Sequence, residues 1–216
     1  MNKLIIVLII AATALIGCNN KATTSTSGNK SASKSAPRAE ADYQKGVTPV
    51  ADPEIAVFEM ENPAYGTFKM ELYSNVAPKM VARFKELIKE GYYNGIAFHR
   101  VNASVIQAGN SDTKPGAVPQ PGKEGSSGKE NVPAEFSDVP YDTAIVGAAR
   151  LGNDVDSANS QFFIMLKREE FFDKKYTVFG KVFDGMNSVR TIAGAPRNGE
   201  KPTDTIRIKS ATIQPR

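Results

Sequence analysis

From Val47 onward, apolar and polar positions fall into short periodic runs. Residues 66–72 send Phe68, Met70 and Leu72 to one side and Lys69 and Glu71 to the other, the period of a half-buried strand. Residues 55–60, Ile-Ala-Val-Phe-Glu-Met, predict a partner strand. The period then changes. Ala77, Met80, Val81, Phe84, Leu87 and Ile88 recur at helical spacing, with Pro78 suited to a first turn and Gly91 to a stop. Lys79, Arg83, Lys85, Glu86, Lys89 and Glu90 take the other face. Short strands are predicted over 97–100, 105–109, 144–149, 161–166, 178–182 and 205–213, and a shorter helix over 186–193. Residues 111–128 are rich in Gly, Pro and Ser and predict a loop. Many short strands with few helices point to a β-barrel or sandwich.

The beginning of the chain follows a different pattern. After Met1-Asn2-Lys3, residues 4–16 are apolar except for Thr13. Thirteen residues are too few to cross a bilayer, which takes about 20, but suit the core of a secretory signal. The run ends Leu15-Ile16-Gly17-Cys18, which resembles the bacterial lipobox, whose cysteine thiol receives diacylglycerol. An ordinary signal peptide or an uncleaved anchor is the alternative. Each buried methylene contributes about 0.8 kcal/mol, and stable anchoring takes more than one acyl chain, which a triacylated Cys18 supplies. Residues 19–45 are mostly Ser, Thr, Ala, Lys and Asn without apolar period, and read as a leash reaching about 30 Å. The expected organisation is a signal over 1–17, a lipidated cysteine and flexible linker over 18–46, and one folded domain over 47–216. The domain would be tethered at the cell envelope, outside the cytoplasm.

Composition narrows the function. With 41% hydrophobic and 23% charged residues, a packed core is within reach. One cysteine and one histidine exclude an intrachain disulfide and a zinc site of clustered Cys and His. The net charge of +4 sits in the first 46 residues, which hold six basic and two acidic side chains; the rest hold 21 of each. A domain without net charge has little grip on a phosphate backbone, so nucleic acid is not an expected partner. The stretch from Gly122 to Glu130 imitates a phosphate loop. Its glycine spacing is one too long, and Glu130 stands where a Ser or Thr would hold magnesium. His99 has no nucleophile elbow to serve, and Asp154 and Asp156 read as turn chemistry.

Other segments carry more. Phe98-His99-Arg100-Val101 is followed by Val105-Ile106-Gln107-Ala108-Gly109-Asn110, then by Gly147-Ala148-Ala149-Arg150 and Ser160-Gln161-Phe162-Phe163-Ile164. Phe172-Asp173-Lys174-Lys175-Tyr176-Thr177-Val178-Phe179-Gly180-Lys181-Val182 completes the set, and Ala77-Pro78-Lys79 opens the first helix. In order and spacing, from about residue 55 to 212, the chain resembles the cyclophilins. The resemblance implies a mainly β fold: a closed eight-stranded antiparallel β-barrel capped by two helices. It implies peptidyl-prolyl cis-trans isomerisation, with proline-containing polypeptides as partners, a monomer, and neither cofactor nor metal.

The chemistry fits such residues. An X–Pro bond turns in tens to hundreds of seconds against a barrier of about 20 kcal/mol. Lowering it takes a donor that favours the twisted amide and an apolar slot for the ring. The resemblance makes Arg100 that donor, a rigid fork that is always charged. It makes Gln107 and Gln161 positioning groups and Phe163 the pocket floor, with Val105, Phe172 and Tyr176 around it and Ala149, Arg150 and Phe171 in the remaining binding surface. This chain departs from the family in several places. The Arg100–Gln107 segment is one residue short, and Ser104 falls where a pocket phenylalanine is expected. Phe171 replaces tryptophan, Tyr176 histidine and Arg150 asparagine, while Ala108 and Asn110 soften the usual Gly and Asp. Two classes stay open: a membrane-tethered isomerase for extracytoplasmic folding, or a catalytically weak relative that only holds proline-bearing segments as a chaperone or surface lipoprotein.

Overall fold

The computed structural model describes residues 42–216 apart from Gln120, Lys123 and Glu124. The signal over 1–17, Cys18 and the leash up to residue 41 lie outside the described residues. The strands are β1 (Glu54–Met60), β2 (Thr67–Leu72), β3 (Arg100–Val101), β4 (Val105–Ala108), β5 (Ile145–Ala148), β6 (Phe162–Met165), β7 (Val178–Asp184), β8 (Arg197–Asn198), β9 (Lys201–Pro202) and β10 (Ile208–Pro215). The helices are α1 (Pro78–Lys89) and α2 (Met186–Ala193).

Among the described residues, eight strands form one antiparallel sheet in the order β10–β1–β2–β7–β5–β6–β4–β3, and β8 with β9 forms a separate ribbon. The apolar alternation of β2 pairs with that of β1. Phe58 lies opposite Phe68, with their rings stacked at 5.1 Å. Met80, Val81, Phe84, Leu87 and Ile88 of α1 are buried on this side, and the Phe84 ring meets Phe179 at 4.9 Å and Phe162 at 5.5 Å. Ala77 gives α1 no side-chain cap. The carboxylate of Glu135 accepts instead from the amides of Lys79 (3.0 Å) and Met80 (2.9 Å), satisfying two donors that a helix start leaves unpaired.

The expected closed barrel is a curled half-barrel. Its end strands β3 and β10 form no ladder. Their approach runs through the segment before β3, by a single bridge between Ala97 and Arg207 and by the bonds Gly95 N to Ile208 O (2.8 Å), Ile208 N to Ile96 O (2.9 Å) and Phe98 N to Ile206 O (2.9 Å). The reason lies at β3, which is only two residues long. Its free edge is taken by the β8–β9 ribbon, whose Glu200 carbonyl accepts from Val101 N at 2.7 Å. The last strand accordingly begins at Ile208 rather than at residue 205.

Described residues before the composition shift at Val47 are also bonded to the folded part. Gln44 N donates to Phe136 O at 2.9 Å, its side chain donates to Val76 O at 2.9 Å, and Gly46 N donates to Asp138 Oδ2 at 2.6 Å. Single contacts of this kind have no periodic signature.

Candidate active site

On the face turned away from α1, the strand register sets four residues in one row. Arg100 on β3 lies opposite Gln107 on β4, Gln107 opposite Phe163 on β6, and Phe163 opposite Gly147 on β5. Alternation along β6 sends Phe162 into the α1 side and Phe163 to this side. Gly147 has a packing reason to be glycine: a Cβ there would lie 2.4 Å from Phe163 Cζ and 2.7 Å from the Tyr141 hydroxyl.

The short β3–β4 connection explains the missing residue. Asn102 N donates to Val105 O at 3.0 Å, and Asn102 Oδ1 accepts from the amides of Ser104 and Val105, both at 2.9 Å. That side-chain turn leaves no room for an inserted pocket residue. Ser104 points to Glu169, donating to Oε1 at 2.5 Å, and supplies no wall. Val105 is buried with the Phe163 cluster.

Around Phe163 stand Phe172 (ring centroids 5.3 Å), Tyr176 (5.6 Å, nearly perpendicular) and Tyr141 (5.7 Å, stacked). The Tyr141 hydroxyl is buried without a hydrogen-bond partner, and desolvation pushes its pKa far above the ordinary phenol range. Phe171 is 67% exposed, outside this wall, with Lys175 Nζ 4.4 Å over its ring.

A chain of polar side chains runs beside the aromatic group. Arg100 Nη1 donates to Gln107 Oε1 (3.3 Å), Gln107 Nε2 to Gln161 Oε1 (2.9 Å), and Gln161 Nε2 to the Gly125 carbonyl (3.0 Å). A neighbouring cavity of about 450 Å³ is lined by Gln107, Gln161, Ala149, Arg150, Gly125 and Asn159, among others. Arg150 lies over the Tyr176 ring at 4.6 Å and donates to the carbonyls of Lys175, Leu151 and Gly152. It braces the cavity wall with donors already engaged. His99 is half-buried, and desolvation holds its pKa below the usual imidazole range.

The structure thus gathers Arg100, Gln107 and Gln161 in one chain, Val105, Phe163, Phe172 and Tyr176 in the aromatic group, and Ala149 and Arg150 at the cavity. Three contributors were missed from sequence. Asn102 was findable, since Asn-Ala-Ser is side-chain turn chemistry. Tyr141 lacks a motif, and Glu200, whose carboxylate meets the Arg100 guanidinium, lies 100 residues downstream in sequence. Among the described residues no group of three or more His, Cys, Asp or Glu could hold a metal ion.

A curled sheet thus carries an aromatic group on its outer face, with an arginine fork and a cavity beside it. The family model described as cyclophilin type peptidyl-prolyl cis-trans isomerase/CLD matches residues 56–213, and the chain belongs to that family. A Brucella suis protein named "Probable peptidyl-prolyl cis-trans isomerase" is 40% identical over 178 residues, spanning 76% of this chain and 85% of that protein. The crystal structure of a Cryptosporidium parvum cyclophilin type isomerase superposes with a TM-score of 0.66 at 27% identity, covering 76% of this chain and 98% of that one. A second structure of that protein, in the presence of the dipeptide Ala-Pro, gives 0.65. The enzyme class is peptidyl-prolyl cis-trans isomerase.

Proposed function

We propose that this chain rotates X–Pro bonds with Arg100 as the donor and the Phe163 group as the ring-binding surface, and that it works outside the cytoplasm on a lipid tether at Cys18. The observation that carries the catalytic part is the register row Arg100–Gln107–Phe163–Gly147, which sets a charged donor two strands from an aromatic floor. Planar amide resonance is what holds the bond. A guanidinium N–H directed at the prolyl nitrogen favours the pyramidal, twisted form over the planar one, while the ring stays gripped. No proton is transferred and no covalent bond is made or broken. Gln107 and Gln161 fix the fork from one side. The Ala-Pro dipeptide used with the Cryptosporidium parvum relative supports proline as the group received.

An isomerase assay on a short X–Pro peptide tests this reading. Arg100→Ala should lower kcat/KM by about 10²–10³, the usual worth of one preorganised donor. Arg100→Lys should recover little, because a point charge on a flexible stem does not reproduce a planar fork. Undiminished activity in Arg100→Ala would remove Arg100 from the mechanism. The tether rests on the lipobox-like Leu15-Ile16-Gly17-Cys18 and the linker composition. Cys18→Ser should move the protein from the detergent phase of a phase separation to the aqueous phase; a serine variant still in the detergent phase would rule the lipid out.

A further inference from the structure

The β8–β9 ribbon that keeps the sheet from closing also delivers an acid to the arginine of the groove. Gly199 (φ +60°) and Glu200 form its two-residue turn. The Glu200 carbonyl fastens the turn to Val101 N at 2.7 Å. Its carboxylate accepts from Arg100 Nε (2.6 Å), Arg100 Nη2 (3.3 Å) and Asn102 Nδ2 (2.7 Å). The guanidinium is therefore held along its Nε–Nη2 edge by Glu200 and at Nη1 by Gln107. Of the five N–H donors of an arginine, three are engaged and two remain.

Resting on the reading of Arg100 as the donor, we propose that Glu200 is a positioning residue, which fixes the roll of the guanidinium so that its two free donors face the groove. Two facts argue against a mere stabilising pair. The side chains are 43% and 51% exposed, where an ion pair adds little to the folded state. Rotation about an X–Pro bond also moves no net charge, so a naked cation is not what the reaction needs. It needs donors with a fixed direction, and a carboxylate gripping one edge of a planar fork supplies that at no loss to the chemistry. The Arg100 guanidinium in turn holds the Glu200 carboxyl below the usual carboxylate range, so Glu200 is charged at neutral pH. Asn102 extends the hold, with its amide on Glu200 and its carbonyl on the turn that presents Val105. One carboxylate thus fixes both the donor and the hairpin beside it.

The test is a double-mutant cycle on the full chain, read by kcat and KM on an X–Pro peptide and by thermal unfolding. Glu200→Gln should lower kcat/KM about tenfold, chiefly in kcat, the size of effect a slightly misdirected group produces. Its unfolding midpoint should stay near wild type. In the Arg100→Ala background Glu200→Gln should cost far less than in the wild type, because most of its effect runs through the fork and only the Asn102 contact remains to be lost. Glu200→Asp, which keeps the charge on a shorter stem, should fall between. Three results would overturn the assignment: Glu200→Gln as active as wild type, Glu200→Gln more active because the carboxylate had masked the donor, or an equal loss in both backgrounds. If Arg100→Ala is itself fully active, the donor reading falls and takes this inference with it. Failure of Glu200 alone is recognised by an impaired Arg100→Ala beside an unimpaired Glu200→Gln.

Discussion

Phe162 and Phe163 are neighbours on one strand, 0% and 3% exposed, and burial alone does not separate them. Their surroundings do. Phe162 is met by Phe58, Phe84, Tyr93 and Phe98, with ring centroids 5.5–6.4 Å away, and these come from β1, α1 and the chain leading into β3. Phe163 is met by Tyr141, Phe172 and Tyr176. None of those three lies in a strand; Phe172 ends the single 3₁₀ turn Glu170–Phe172, and the other two are in connecting loops. Two of the inner ring's four neighbours, Phe58 and Phe84, sit on regular elements with their own hydrogen-bond ladders; none of the outer ring's three sits on a strand or α-helix. Loop-built walls open at lower free energy than core strands do, which is what a groove that admits substrate requires. The outer side also tolerates an unpartnered Tyr141 hydroxyl and a row position, Gly147, without a side chain.

The largest effect should come from emptying the two positions in turn. Phe162→Ala should destabilise the fold by about 3–5 kcal/mol, since a close-packed ring cluster collapses poorly into the space. Phe163→Ala should cost less, about 2 kcal/mol, because its loop neighbours can relax into the space and the groove admits water. In activity the order reverses. Phe163→Ala should raise KM along with a fall in kcat/KM, having removed binding common to ground and transition states, while the folded fraction of Phe162→Ala should turn over near normally. Denaturant unfolding and steady-state kinetics on the same samples decide it. Equal stability losses would show that both rings belong to one core.

How much of this was legible follows from the same distinction. Elements built on a period were readable. Helix α2 spans Met186–Ala193 as its apolar spacing indicates, and β2 alternates as Phe68, Met70 and Leu72 require. The polar chain Arg100–Gln107–Gln161 was accessible only through the resemblance, whose motifs carry all three residues. Features set by one long-range contact were not. The barrel stays open because Glu200 O claims the edge of a two-residue strand, and no local pattern announces that bond. Phe171 was expected in the remaining binding surface; of two adjacent rings on a 3₁₀ turn, Phe172 turns inward and Phe171 stays exposed. Arg150 was expected in the binding surface; it lines the cavity, and no local pattern announces that its N–H groups are directed to the carbonyls of a nearby loop.

His99 stands where the two regions meet, between core Phe98 and the groove's Arg100, and its titration tells which side claims it. Desolvation keeps its pKa below the value near 6.5 it has when unfolded, and its Nδ1 is buried without a partner. A histidine depressed in this way contributes stability above its unfolded pKa and loses it as pH falls toward the folded value, because the unfolded chain binds the proton first. Unfolding free energy should therefore decline from about pH 7 toward pH 5.5, and His99→Gln should flatten that slope. Turnover should respond otherwise. If rotation of the X–Pro bond uses no proton, kcat/KM should stay level through the same window and His99→Gln should leave it nearly unchanged. A step in kcat/KM on the acid side of that window that His99→Gln abolishes would place His99 in the groove's chemistry rather than the core's, and would require a proton in a mechanism that otherwise needs none.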